Sequence, residues 1–237
     1  MSRVFAIVLA GGSGTRMHSE IPKQYMDLQG DPVILHSIRA FAGKVDQAIL
    51  VAKEHEWDYL NRFVVPRAGV PVTLADAGRE RYDSVLSGLE KLKRFDALDT
   101  DLILIHDGAR PLVTGEIIER CIEDAKEHGA CAAAMPVKDT IKVASASGYA
   151  VETPDRSTLW QIQTPQAFRI GLIKESYKRM KEDPSFKAGM LNITDDAMVV
   201  ENFSSVRVKL TMGSYENMKI TTPEDIEIAR FFIDKVK

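Results

Sequence analysis

Short, continuously apolar runs alternate with amphipathic stretches along most of this chain. Val4–Leu9 and residues 47–51, 71–74, 102–105 and 130–135 read as strands. The run at 102–105 has no polar alternation, as expected of a strand covered on both faces. Between these runs, residues 31–41, 54–63 and 80–92 read as helices; Val85, Leu89 and Leu92 stand at helical spacing. Thr114 is placed to cap a helix running to His128. This βαβ order predicts an α/β, doubly wound fold with a mainly parallel sheet. A chain of 237 residues with 45% hydrophobic and 27% charged content has enough apolar material for one such domain, spanning 1–237.

The alternation breaks at Pro136. Residues 137–158 carry apolar pairs, Ile141 with Val143 and Tyr149 with Val151, around Ser145-Ala146-Ser147-Gly148. That pattern predicts a β-hairpin. A lone hairpin is marginal in water, so it should pack on its own domain or on a partner chain. Helical patterns resume at 171–180 and 195–201, a strand is expected at 206–210, and Thr222-Pro223 opens a last helix.

Val4–Leu9 runs into Ala10-Gly11-Gly12-Ser13-Gly14-Thr15-Arg16, with Lys23 a few residues on. Glycines bring main-chain N–H groups within reach of a ligand, and two cations at the rim suit a phosphate chain. The string is not a dinucleotide fingerprint, because Met17 stands where the third glycine belongs. No P-loop string occurs either. The bland reading is an ordinary strand-to-loop turn with surface charges.

In open α/β sheets, ligands bind beyond the carboxyl ends of strands. Besides the loop at 10–16, three segments fall at such positions: 78–84, 106–111 and 219–221. Gly78 and Ser84 flank a helix N-terminus, where N–H groups and a hydroxyl can read a base or phosphate. Arg79 and Arg81 are either ligand-facing or solvated. Asp107 can hold Mg²⁺ or a ribose hydroxyl, or simply cap the next loop. His106 reads as structural, since no Ser or Cys nucleophile signature accompanies it. Thr140 and Arg156 flank the hairpin as a phosphate clamp or a surface pair. Thr194-Asp195-Asp196 reads as a helix N-cap.

The net charge of −3 gives no basic footprint for nucleic acid. Two cysteines make no disulfide framework or metal knuckle. No apolar run is long enough to span a membrane, and Met1-Ser2-Arg3 enters a strand without a signal-peptide core. A soluble cytoplasmic protein is the expectation.

Taken together, LAGGSGTRM (9–17), PKQY (22–25), GRERYDSV (78–85), HDGARP (106–111), PVKDTIK (136–142), Arg156, QTPQ (163–166), TDDA (194–197) and KIT (219–221) resemble the 2-C-methyl-D-erythritol 4-phosphate cytidylyltransferase family. The resemblance runs from about residue 4 to 230. It implies an isoprenoid-pathway enzyme that joins CTP to a polyol phosphate with Mg²⁺ and releases pyrophosphate. It also implies a Rossmann-like domain with a protruding β-arm, 137–158, through which two chains form a homodimer. By the same resemblance, Arg16 and Lys23 stabilise the transition state. Lys219 and Arg156 place the acceptor phosphate with Thr140 from the arm, which completes the partner's site. Leu9, Ala10, Gly11, Gly12, Gly78 and Ser84 match CTP contacts, and Glu80, Arg81, Asp107 and Arg110 fall in the same motifs. Arg79 and Tyr82 occupy places that vary in the family. Ribitol-5-phosphate cytidylyltransferases share the first loop, PKQ, QTPQ, the arginine and the final lysine, and are the alternative. Hexose-phosphate nucleotidyltransferases, nicotinamide oxidoreductases and a catalytically dead module are the more distant readings.

Overall fold

β1 (Val4–Leu9) shows why the chain folds in three layers. Its even residues, Ala6 and Val8, pack in one core with Ile34, Leu35, Ile38, Ile117 and Ile118. Its odd residues, Phe5 and Ile7, pack in another with Val85, Leu89, Ile173 and Tyr177. Side chains alternate across a strand, so apolar residues at every position require helices on both faces. Fully burying one such side chain is worth roughly 2 kcal/mol.

The structure, a computed structural model, describes residues 2–12 and 21–235. After β1 come β2 (Asp27–Leu28), β3 (Asp31–Pro32), α1 (Val33–Arg39), β4 (Gln47–Ala52), α2 (Trp57–Phe63), β5 (Val72–Asp76), α3 (Arg81–Lys91) and β6 (Leu102–Asp107). Then follow α4 (Gly115–His128), β7 (Ala130–Pro136), β8 (Val143–Ala144), β9 (Ala150–Glu152), β10 (Trp160–Arg169), α5 (Ile170–Glu182), α6 (Pro184–Lys187), α7 (Asp196–Phe203), β11 (Lys209–Met212) and α8 (Pro223–Lys235). The main sheet has the order β11-β7-β10-β6-β1-β4-β5. The chain moves outward from β1 through β4 to β5, then crosses back to lay β6 on the other side of β1. The carboxyl ends of β1 and β6 lie level, with Leu9 opposite Asp107, and open a crevice where strand order reverses.

Several expectations are corrected. Trp160–Arg169, not anticipated as a strand, runs antiparallel between β6 and β7. The remaining pairings of the main sheet are parallel. The strand expected at 206–210 lies at Lys209–Met212. Thr114 precedes α4, but its side chain makes no cap hydrogen bond. At α8, the Asp225 carboxylate accepts from the N–H groups of Thr221 and Thr222, so it closes the helix start from within. The hairpin forms as β8 paired with β9, and the side chains of both strands are exposed. Among the described residues, no helix is long and apolar enough to cross a membrane.

Candidate functional site

The crevice holds a cavity of about 450 Å³, within the usual range for small-ligand sites. Its first wall is the loop after β1, Ala10, Gly11 and Gly12. A Cβ on Gly11 would sit 2.4 Å from Ala77 Cβ, so this glycine supplies room beside the end of β5 rather than a left-handed backbone. The loop is held from both sides. Ala10 N–H donates to the Val51 carbonyl at 2.7 Å, and Gln24 Nε2 donates to the Ala10 carbonyl at 2.6 Å. Gln24 follows Lys23 in a 3₁₀ turn, so this bond ties the lysine's turn to the loop.

The second wall is the start of α3. Gly78 N–H donates to Ser84 Oγ at 3.1 Å, and that hydroxyl donates to the Glu80 carbonyl at 3.3 Å. Ser84 therefore shapes the loop as well as lining the cavity. A Cβ on Gly78 would lie 2.2 Å from Asp83 Cβ and 2.8 Å from a backbone carbon, so only glycine fits.

Asp107 ends β6 at the cavity floor. Lys219 Nζ lies 2.8 Å from Oδ2, Arg81 Nε 3.7 Å from Oδ1 and Arg110 Nε 3.9 Å from Oδ2. Burial alone would raise the carboxyl's pKa, but Lys219, then Arg81 and Arg110, hold it well below the usual carboxylate range. The carboxylate is thus a hub for cations. A divalent metal on Asp107 would have to displace them, so this residue does not fit a metal ligand. No group of three or more His, Cys, Asp or Glu among the described residues is arranged to hold a metal.

His106 lies behind the site with no exposed surface. Its Nε2 faces the Arg110 carbonyl at 3.2 Å, which can only accept, so Nε2 carries the proton. Nδ1 accepts from Thr164 Oγ1 at 3.1 Å, and that oxygen accepts from Asp107 N–H at 3.0 Å. Burial pushes the imidazole pKa down to about 4, so it stays neutral. Its role is to hold the Asp107 loop, as its surroundings in sequence imply.

Leu9, Ala10, Gly11, Gly12, Lys23, Gly78, Arg79, Glu80, Arg81, Ser84, Asp107 and Lys219 all line the one cavity. Arg16 lies outside the described residues. Arg110 sits beneath the floor, its side chain 12% exposed and its Nη1 donating to the Asn217 carbonyl. Thr140 and Arg156 are exposed on the arm and do not line their own chain's cavity; Arg156 Nη1 donates to the Lys138 carbonyl at 2.8 Å. Sequence reasoning missed Lys53 and Gln24, which also line it. Lys53 directly follows β4, so the strand-end rule extends to it.

The described lining carries five cationic side chains, Lys23, Lys53, Arg79, Arg81 and Lys219, against two carboxylates, Glu80 and Asp107. It contains no histidine or cysteine, and its hydroxyl, on Ser84, is already hydrogen-bonded. Such a site attracts a polyanion and offers alignment and charge neutralisation in place of a covalent nucleophile. At the switch point of a doubly wound sheet, that defines an α/β protein built to handle a nucleotide's phosphates.

Comparison with known proteins narrows the class. A profile of the 2-C-methyl-D-erythritol 4-phosphate cytidylyltransferases matches residues 4–235. The enzyme of that name from Lachnospira eligens is 49% identical over 231 residues, which cover 96% of this chain and 98% of that one. Its namesake from Clostridium perfringens is 39% identical over 236 residues, covering 98% and 100%. The solved 4-diphosphocytidyl-2C-methyl-D-erythritol synthase of Anaerococcus prevotii has the same fold, with a TM-score of 0.81 at 28% identity over 98% of this chain and 99% of that one. The chain belongs to the 2-C-methyl-D-erythritol 4-phosphate cytidylyltransferase family, and is a nucleotidyltransferase. The ribitol-5-phosphate alternative is not favoured, since these relatives carry the methylerythritol name.

Proposed function

We propose that CTP and 2-C-methyl-D-erythritol 4-phosphate react in the crevice between β1 and β6, giving 4-diphosphocytidyl-2-C-methylerythritol and pyrophosphate for isoprenoid synthesis. The observation that carries this reading is the cationic cavity itself, with Lys23 and Lys219 in one lining. The nucleophile is a phosphate monoester oxygen, whose second pKa of about 6 leaves it ionised near neutrality. No general base is needed. Two anions must be aligned, and charge must be neutralised on the α-phosphate and the leaving pyrophosphate. Lys23 and Arg16 are assigned to that developing charge, and Lys219 to the acceptor phosphate.

Arg156 and Thr140 are assigned to the acceptor phosphate of a partner's site. Their exposure on an arm away from their own cavity supports a homodimer, as do the apolar side chains that arm presents, with Tyr149 77% exposed. Magnesium carried on the nucleotide's own phosphates, rather than on Asp107, belongs to the same proposal, because Mg²⁺ commonly keeps waters and substrate oxygens as ligands. So does a cytoplasmic location, where CTP is drawn on. The test is pyrophosphate release from CTP with each acceptor. Release with methylerythritol phosphate and little with ribitol phosphate is expected; the reverse preference would overturn the acceptor assignment. Sedimentation at micromolar concentration should find a dimer, and a fully active monomer would refute the shared site.

A further inference from the structure

Asp196 opens α7 and has no exposed surface. A carboxylate so placed needs partners. Tyr177 OH donates to its Oδ1 at 2.6 Å, and Arg81 Nη2 donates to its Oδ2 at 2.7 Å. Burial, reinforced by the Asp196 charge, holds the Tyr177 phenol well above its usual range, so it remains a donor. Neither Asp196 nor Tyr177 lines the cavity, but Arg81 does. From Arg81 the contacts continue to Asp107 at 3.7 Å and from Asp107 to Lys219 at 2.8 Å. The second layer of helices is thereby connected to the floor of the site through one guanidinium. A planar guanidinium fixed through one nitrogen by a buried anion has little freedom to rotate away from Asp107. A buried ion pair is often no more stabilising than apolar packing, so stability alone is a weak reason for one here.

We propose that Asp196 is a positioning residue for cytidylyl transfer, setting the orientation of Arg81 and, through it, of the Asp107–Lys219 pair. It touches no substrate. The inference rests on the transfer reading above and deepens it by tracing what holds Lys219 in place.

A double-mutant cycle of Asp196→Asn and Arg81→Met tests it, read as kcat, KM for CTP and Tm. Asn keeps the shape and removes the charge. Asp196→Asn alone should lower kcat about 10²-fold, the typical effect of a small misplacement, with KM for CTP little changed. In the Arg81→Met background the same change should alter kcat by less than about twofold, since the contact that links Asp196 to the site among the described residues is gone. Equal losses in both backgrounds would overturn the proposal while leaving the transfer reading standing. A wild type that releases no pyrophosphate from CTP would overturn both. Should Arg81→Met fail to fold, Tyr177→Phe decides. It removes one oxygen from the same anchor and leaves the buried Asp196 Oδ1 short of a donor, so kcat should fall several-fold, measured well below a Tm that itself drops by several degrees, and unchanged kcat refutes the inference.

Discussion

Replacing Asp107 by Asn preserves the side chain's shape and removes the one charge that three cations share. The contacts are 2.8 Å to Lys219, 3.7 Å to Arg81 and 3.9 Å to Arg110. At an effective dielectric constant of about 20, each gross attraction is about 4–6 kcal/mol. Burying the carboxylate opposes this by several kcal/mol. Lys219 is 38% exposed, so solvent screens its share. The net loss in Asp107→Asn should therefore be about 3 kcal/mol, the low end for breaking a buried pair. In a chain of this size that is roughly 6–12 °C in Tm. The pH dependence has a definite sign. Because the folded carboxyl is held below its ordinary range, its contribution is whole above about pH 4, where the unfolded carboxyl is ionised. Under stronger acid the unfolded chain takes up a proton that the folded one refuses, and the contribution is lost. Thermal melts of both proteins should thus show a constant gap near neutrality that narrows below about pH 4. Turnover should fall about 10²-fold as Lys219 loses its anchor. A variant that melts with the wild type at neutral pH, or a gap that widens in acid, would refute the cation-hub argument.

Lys23→Ala should lower turnover about 10²–10³-fold with little change in Tm, measured by pyrophosphate release and a melt on one preparation. Gly78→Ala drives a Cβ to 2.2 Å from Asp83 Cβ, so it should destabilise by about 1–3 kcal/mol and raise KM for CTP. His106 has its pKa pushed down to about 4 by burial. The unfolded chain protonates from about pH 6.5 and the folded one does not, so about 3 kcal/mol of stability should drain away by pH 4. Denaturant unfolding across that window should show the slope in wild type and a flatter one in His106→Gln.

The layers were legible because their signals are local. β1 is apolar at every position, and that alone demands cover on both faces. β10 was not legible, for the opposite reason. Gln163, Thr164 and Gln166 look like loop residues, yet all are buried. Their partners come from far along the chain: Asn217 Nδ2 donates to Gln163 Oε1 and to the Thr164 carbonyl, and Gln166 Nε2 donates to Asp195 Oδ2. A polar strand interior is stable only once those partners are in place, and no local window displays them.

The site divides along the same line. The glycine loop, Gly78, Asp107 and Lys219 follow from the rule that ligands gather at strand ends, and the cavity unites them. The acidic pair at 195–196 shows where that rule stops. Asp195 does cap α7, accepting from Met198 N–H at 2.8 Å. Asp196 is one residue further, and one residue turns a helix by about 100°. That rotation carries the second carboxylate inward to Tyr177 and Arg81. In sequence the two acids are interchangeable members of an N-cap. What separates them is the packing of α7 against α5, which fixes the rotation of the helix and so the direction in which each acid points. Arg81 stands 115 positions from Asp196, and spacing cannot encode a partner at that distance. A charge whose work depends on a neighbour from a distant part of the chain becomes readable only after the sheet has set the register of both helices.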